Sequence, residues 1–377
     1  MKLDAEALAD VRLPLGAART LPRDAYVDDE IFADELRAAL LPAFHLVGRE
    51  SELSSPGTIR LETVLGSEIV LIRGHDLALR GFHNVCRHRG SALVDGCSHA
   101  AHSIVCPYHG QAYDLAGRAL ASTHGDRPCP VPPGTSLDPV RVETWGGFVF
   151  ASLGATTKGP SLLDRLAPIP TALSELGLRS LRLVRRSVWE LAANWKLVVE
   201  NFLESHHYPT VHPSLERLTP HRLAETLSDP FPWNAGLTIL DPEAETVSED
   251  GRRNGRAFLP GLPREERDRV RDYHLFPTTL VSRQPDYLLT YRVEPLSVGR
   301  TRITHELLVH PASTGPHEDV IASWDRTNAE DARAIERQQR GVGGRGYRPG
   351  LVAAVEDGLR RYLNEMADVY DPEPAAR

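Results

Sequence analysis

Four side chains that bind borderline or soft metals stand in two short pairs, Cys86-Arg-His88 and Cys106-Pro-Tyr-His109. Each pair mixes one thiol with one imidazole. Two loops of this kind can hold a [2Fe–2S] cluster in which one iron takes two thiolates and the other takes two neutral imidazoles. Imidazole brings no charge where thiolate brings one, so such a cluster is less negative and easier to reduce than a four-cysteine cluster. The same four donors also satisfy a tetrahedral structural zinc ion. Zinc fingers usually keep cysteines together and histidines together, and the mixed order here favours the cluster. Gly90 and Gly110 follow the two pairs, where loop backbone is expected to approach the sulfurs closely.

A second dense patch runs from Asn194 to His212 and contains Glu204-x-x-His207-x-x-x-x-His212. A helix over Asn194–Ser205 and beyond would put Glu204 and His207 on one face at i,i+3. Pro209 should make that helix give way, so that His212 returns from a distorted segment. Two histidines close in sequence and a distant carboxylate form the facial triad of non-haem iron(II), which leaves coordination positions open for O₂. The carboxylate is expected on a later helix, within Asn328-Ala-Glu-Asp331. Asp331 is taken as the ligand, with Glu330 and Asp325 as the neighbours that could replace it. Spacing alone does not exclude His206 in place of His207. The bland alternative for the patch is an amphipathic helix with polar surface residues.

These residues need a scaffold, and the chain is long enough for two domains, at 377 residues. Residues 1–44 read as a partly amphipathic helical segment, with Ile31, Phe32, Leu36, Leu40 and Leu41 spaced for one face and Pro42 ending it. Residues 45–153 have the texture of a small all-β module, with strands at Ile59–Val64, Ile69–Ile72, Ala78–His83 and Phe148–Ala151. A Gly/Pro-containing stretch from Gly154 to Pro170 opens the second domain, residues 154–377. There a strand is expected over Leu181–Leu191, further strands over Tyr287–Val293 and Thr301–His310, and helices over Glu318–Gln339 and Leu351–Tyr362. The fold class is therefore α+β: an all-β N-terminal domain, then a catalytic domain whose antiparallel sheet is covered by helices.

The two cluster loops, Asn84-Val-Cys-Arg-His-Arg-Gly90 and Cys106-Pro-Tyr-His-Gly110, resemble the Rieske domain of the ring-hydroxylating and N-demethylating oxygenases. Ser91 stands where respiratory-chain Rieske proteins need a disulfide cysteine, which implies a low-potential cluster. Family members usually carry Trp where this chain has Gln111, so a changed cluster surround is expected. The family pattern of acid, two residues, His, four residues, His selects His207 over His206. Its later segment of Glu-Asp, Glu and Gln-x-Gly matches Glu330-Asp331, Glu336 and Gln339-Arg-Gly341. In the resembled family the cluster of one subunit faces the iron of its neighbour in a homotrimer, and an acid bridges the two histidines. Glu204 matches that acid, which implies contacts to His207 and to the neighbour's His109. Glutamate in the context Asn201-Phe-Leu-Glu204 is similar to the branch of choline, glycine betaine, stachydrine and carnitine monooxygenases, and the similarity spans nearly all of residues 20–365. The resemblance implies a terminal oxygenase component that uses O₂ to hydroxylate a C–H bond, by N-demethylation or hydroxylation of a quaternary ammonium or betaine-like compound. Its electrons would come from NAD(P)H through a separate flavin/ferredoxin-type reductase, since the G-x-G-x-x-G spelling at Gly341-Val-Gly-Gly-Arg-Gly346 follows an expected helix and not a strand, as a dinucleotide fingerprint would need. Ring hydroxylation and natural-product tailoring are the alternatives within the family. Outside it stand a Rieske electron carrier and a zinc-holding structural protein.

Composition narrows the setting. A net charge of −8 argues against nucleic acid, and no long apolar run suggests a membrane span. The N-terminus carries Asp4, Glu6 and Asp10 and lacks an apolar segment, so a cytoplasmic protein is expected. Cys97 and Cys129 read as buried or half-buried free thiols, and His99, His102 and His124 as surface loop residues. Phe202, Trp233, Phe276, Tyr287 and Tyr291 are candidates for a pocket that could cage a cation, while His274-Leu-Phe-Pro277 reads as structural. Gly341-Val-Gly-Gly-Arg-Gly346 reads as a turn or a loop near the site.

Overall fold

A computed structural model describes residues 3–121, 129–132, 134–154, 159–167, 169–226 and 235–371. The chain forms two compact units: residues 41–165, and residues 1–40 with 166–377.

The unit of residues 41–165 is built from strands β1 (His45–Arg49), β2 (Ile59–Val64), β3 (Ser67–Arg73), β4 (Leu79–His83), β5 (Ser103–Val105), β6 (Ala112–Asp114), β7 (Pro139–Trp145) and β8 (Phe148–Ser152). Six of them form one antiparallel sheet in the order β1-β8-β7-β4-β3-β2, and β5 pairs with β6 separately. Strand side chains alternate between faces, and β3 buries both. Val70 and Ile72 enter one core with Cys86, Cys106 and Tyr113, whereas Ile69 and Leu71 enter another with Val47 and Val149. That double burial is why β3 reads as an unbroken apolar run. The short helix α4 (Leu162–Leu166, after the helices of the N-terminal segment) begins within this unit. Residues 159–165, assigned from sequence to the second domain, pack instead with the strands, because the Leu162 N–H donates to Glu143 Oε2 at 2.8 Å and the Leu162 side chain is buried.

The other unit takes its first helices from the N-terminal segment: α1 (Ala5–Val11), α2 (Asp24–Val27) and α3 (Asp29–Glu35), the last running into a π-helical turn at Leu36–Leu40. After α5 (Ile169–Ala172) come β9 (Arg182–Leu191), α6 (Trp195–Phe202), α7 (Tyr208–Val211) and α8 (Pro213–Leu218). Strands β10 (Ala224–Thr226), β11 (Ala235–Ile239), β12 (Arg269–Leu275), β13 (Thr279–Arg283), β14 (Tyr287–Ser297) and β15 (Arg300–Val309) follow, then α9 (Glu318–Gly343) and α10 (Asp357–Tyr370). The sheet is antiparallel in the order β10-β11-β12-β13-β14-β15-β9, so the first strand of the domain closes against the last.

Two expected helices move. The last begins at Asp357 rather than Leu351, because residues 351–352 are extended: Leu351 bridges to Arg19, and the Val352 N–H donates to Ala18 O at 2.9 Å. The Gly341–Gly346 stretch is not all loop, since α9 continues through Gly343, whose carbonyl accepts from Arg23 Nη2.

The segment carrying the histidines is held by buried polar contacts. Asn194 caps α6, its side chain accepting from the Lys196 N–H, while its amide donates to Val298 O at 2.7 Å. Lys196 and Glu35 form an ion pair at 2.6 Å with both side chains fully buried. Trp195 Nε1 and the Tyr370 hydroxyl donate to the same carboxylate. Glu200, farther along α6, accepts from the Tyr26 hydroxyl at 2.9 Å. Burial raises the Glu200 carboxyl to about 8, against the opposing pull of Tyr26 and Lys196.

Candidate active site

The two loops of the smaller unit share one hydrogen-bonding plan. The Cys86 N–H donates to Ser91 O and the Gly90 N–H to Cys86 O, and Cys106 repeats the pair with Gln111 and Gly110. Gly90 and Gly110 sit at φ +75° and +68°, a left-handed backbone that favours glycine. No protein atom lies within 4 Å of a Cβ built on Gly90, so the dihedral angle is the requirement that the protein itself imposes there. Residue 111 serves the loop through its backbone carbonyl, which any side chain supplies. The buried Gln111 amide donates to Ala112 O and Leu120 O, tying β6 to the following turn.

Cys86 and Cys106 are buried, and the rings of His88 and His109 face each other with centroids 4.7 Å apart. His88 Nδ1 is buried without a hydrogen-bond partner, the condition of a ring nitrogen reserved for a metal. Burial opposes ionisation of Cys106, but hydrogen bonds from the Tyr108 N–H, the Cys86 thiol, the His109 N–H and Ser91 together outweigh it and lower its pKa. The four donors thus suit a cluster with two thiolates and two imidazoles. Tyr113 is a site residue that sequence reasoning passed over. Its buried hydroxyl accepts from the Arg87 N–H at 3.0 Å and lies 3.4 Å from Cys86 Sγ, free to donate to the sulfur. Its only sequence signal is a tyrosine in a short β segment after the second loop. Cys97 is exposed, not buried as expected, because it sits in a turn outside the core, while Cys129 is half-buried. His99 and His102 are exposed; His124 and Trp233 lie outside the described residues.

In the larger unit α6 ends at Phe202, so Glu204 stands in a loop and His207 in a turn, not on one helix face. Pro209 does not break a helix; it occupies the first turn of α7, where a missing N–H costs no intrahelical bond. His207 precedes α7 and His212 lies between α7 and α8. A single helical turn therefore brings the two rings together, with centroids 5.1 Å apart.

Asp331 comes from α9. One carboxylate oxygen, Oδ1, lies 2.8 Å from His212 Nε2 and 3.6 Å from His207 Nε2. Among the described residues, the donors of His207, His212 and Asp331 are the one set of three that converge, all within 4.8 Å of one another. Each imidazole is oriented by an acid on its other nitrogen: Glu204 Oε1 lies 2.5 Å from His207 Nδ1, and Glu330 Oε2 lies 2.7 Å from His212 Nδ1. Carboxylates there fix the Nδ1–H tautomer and leave Nε2 for a metal. Burial alone would depress the pKa of His212; Asp331 and Glu330 outweigh it and raise the value. Of the other candidates, Glu330 orients His212, Asp325 is exposed and pairs with Arg185, and His206 is exposed beside His221. Glu336 and Gln339 accept from the N–H groups of Ala192 and Asn194, pinning α9 to the start of α6.

The triad opens on a cleft with about 840 Å³ of empty space, the open solvent at its mouth included. Its floor is one face of the sheet, with Asp272, Ser282, Tyr291, Ile303 and Trp189 among its residues. Its other wall is α9, where Trp324, Asn328, Asp331 and Ile335 recur at helical spacing. Of the expected pocket aromatics, Phe202 and Tyr291 line the cleft. Tyr287 does not: it is buried, its hydroxyl donating to Val247 O and accepting from Trp324 Nε1. Phe276 packs against the buried ring of His274, whose Nε2 bonds Pro277 O. Trp189, Tyr208 and Trp324 line the cleft and were missed.

The catalytic-domain profile described as ring hydroxylating alpha subunit matches residues 178–372, and the Rieske [2Fe-2S] domain profile matches residues 43–133. The chain belongs to the ring-hydroxylating alpha subunit family. It is a Rieske non-haem iron oxygenase with a [2Fe–2S] cluster and a mononuclear iron as cofactors. Among curated proteins it is 29% identical to the glycine betaine monooxygenase oxygenase subunit of Chromohalobacter salexigens, over 92% of this chain and 84% of that one. It is 28% identical to the carnitine monooxygenase oxygenase subunit of Escherichia coli, over 94% of each. Its fold matches the quaternary ammonium Rieske monooxygenase CntA with a TM-score of 0.81 at 23% identity, covering 98% of this chain and 99% of that one. It matches naphthalene 1,2-dioxygenase from Rhodococcus with 0.78 at 19% identity, covering 98% and 97%. The fold is thus common to nitrogen-compound and ring oxidisers, and the cleft has to separate them.

Proposed function

We propose that this oxygenase is the terminal component of a multicomponent monooxygenase that hydroxylates a C–H bond beside a cationic nitrogen, leading to N-demethylation of a quaternary ammonium or betaine-like compound. The observation that carries this reading is the lining of the cleft. Five aromatic side chains, Trp189, Phe202, Tyr208, Tyr291 and Trp324, surround it, and no lysine or arginine lines it among the described residues. Aromatic faces attract a cation, whereas an aromatic acid would lack a counter-charge. The relatives named for glycine betaine and carnitine point the same way.

In this reading Cys86, His88, Cys106 and His109 hold the cluster, and His207, His212 and Asp331 hold the iron. When bound, the cluster passes single electrons and the iron activates O₂ for insertion into the C–H bond. The chain's residues orient and exclude. Glu204 and Glu330 fix the histidine rings, and the aromatic walls keep water from the reacting carbon. A methyl group hydroxylated beside nitrogen becomes a carbinolamine, which releases formaldehyde as the N–CH₂OH bond breaks and the nitrogen keeps the electron pair and gains the proton.

Glu204 is further proposed to bridge His207 to the neighbour's His109 in a homotrimer. Support comes from its place on a second cleft beside the first and from exposed apolar side chains on the cluster loops, Val85, Val105 and Tyr108, which an assembly would cover. Electrons are proposed to come from an NAD(P)H-dependent reductase, and a cytoplasmic location fits the finding that no helix among the described residues is long and apolar enough to cross a membrane.

The test is NADH and O₂ consumption with a surrogate reductase across betaines, N-methyl amines and aromatic acids. Formaldehyde release coupled to a betaine or N-methyl compound is expected. Coupled turnover of an aromatic acid alone would overturn the assignment.

A further inference from the structure

Apart from the triad, the iron cleft has among the described residues one carboxylate or basic side chain, Asp272 on β12. It stands in register with Ser282 on β13 and with Gly236 on β11. Residues directly opposite in antiparallel strands share a face, so these neighbours define what touches the carboxyl group. Ser282 hydrogen-bonds it. Gly236 leaves its other flank open, since a Cβ built there would meet nothing nearer than the Asp272 Cβ, at 3.9 Å. The charge of Arg283 acts on Asp272 only through space, its guanidinium being committed to Glu266 at 2.7 Å. Asp272 also lines the second cleft, together with Phe202, Tyr208 and Thr238, so these four residues form the shared wall of the two spaces.

Asp272 is half-buried in a cleft and has no ion-pair partner among the described residues, and a partly desolvated acid in that position costs stability unless a cation joins it. Burial pushes Asp272 up to about 6, against the pull of Ser282 and Arg283. Nothing in the iron chemistry uses this residue, and its placement between the clefts gives it a different task.

We propose that Asp272 is the anchoring residue for the substrate's cationic nitrogen, holding it at the junction of the two clefts. An N-methyl group then points inward to His207, His212 and Asp331, and the rest of the molecule extends along the second cleft, where Arg222 and His221 stand. The proposal rests on the ammonium-oxidation reading above and adds the residue that selects charge. Aromatic walls alone also accept a neutral tert-butyl group of the same shape; a carboxylate discriminates between the two.

The experiment titrates the full-length oxygenase, wild type and Asp272→Asn, with choline and with its uncharged isostere in which carbon replaces nitrogen. Tryptophan fluorescence reports binding, because Trp189 and Trp324 line the cleft. Asparagine keeps the size of the side chain and a hydrogen bond to Ser282. The substitution should weaken choline roughly tenfold or more while leaving the neutral isostere within about twofold of wild type. Asp272→Glu should keep the preference for the cation. Equal choline binding by wild type and Asp272→Asn, or equal loss of both ligands, overturns the anchor while the ammonium reading stands. If the wild type binds benzoate but neither choline nor its isostere, the ammonium reading and the anchor fall together.

Discussion

His212 has two acids beside it that are neighbours in sequence, Glu330 at Nδ1 orienting the ring and Asp331 near Nε2 sharing the proposed metal site, and this division of labour makes separate predictions. Glu330→Ala should keep the three proposed ligands yet loosen the ring, weakening ferrous iron binding by about tenfold to a hundredfold. Iron titration of the protein checks this, with the visible spectrum of the cluster unchanged. A second histidine illustrates the cost of burial without partners. Both ring nitrogens of His305 lack hydrogen bonds, and the ring packs between Tyr291 and Trp189. Burial, with a smaller push from Arg185, lowers its pKa from 6.5 to about 3. Between those values the unfolded chain binds a proton that the folded chain refuses, so stability falls as pH drops below 6.5. His305→Phe should remove up to about 2 kcal/mol of that loss between pH 6.5 and about pH 5. Urea unfolding of both proteins at the two pH values measures the difference.

At the scale of elements, α6 is seated by the buried pair of Lys196 and Glu35, with Trp195 and Tyr370 on the same carboxylate. Glu35→Ala leaves an ammonium and an indole N–H without partners and should cost about 3–5 kcal/mol. The double variant Glu35→Leu/Lys196→Met should lose less than Glu35→Ala, which urea unfolding would show. What the sequence revealed follows from the same physics. β3, β14 and β15 were legible because burial makes their side chains apolar or cleanly alternating. β11, β12 and β13 were not, because the face they turn to the cleft carries Thr238, Asp272 and Ser282, which break the pattern. The convergence of His207 and His212 with Asp331 was legible from spacing, but the turn that presents the histidines was not: Pro209 reads equally as the end of one helix or the start of another, and tertiary packing decides. Tyr113 and Glu330 act through contacts across the fold, 26 and 118 residues from their partners, which spacing does not encode.

For the whole molecule, the proposed homotrimer makes electron transfer a property of the assembly. Mixing chains that lack the cluster (His88→Ala) with chains that lack the mononuclear iron (Asp331→Ala) should restore partial turnover when the two are refolded or co-expressed together, whereas each alone is inactive. Failure of the mixture, with both chains present in the same trimer, would argue for transfer within one chain. The central claim is that the chain holds two separate iron centres, one at Cys86, His88, Cys106 and His109 and one at His207, His212 and Asp331. The most direct test is the metal content and visible spectrum of Asp331→Ala beside the wild type. The account predicts a fall from about three to about two irons per chain, an unchanged cluster spectrum and no product. Unchanged iron content with continued turnover would contradict it.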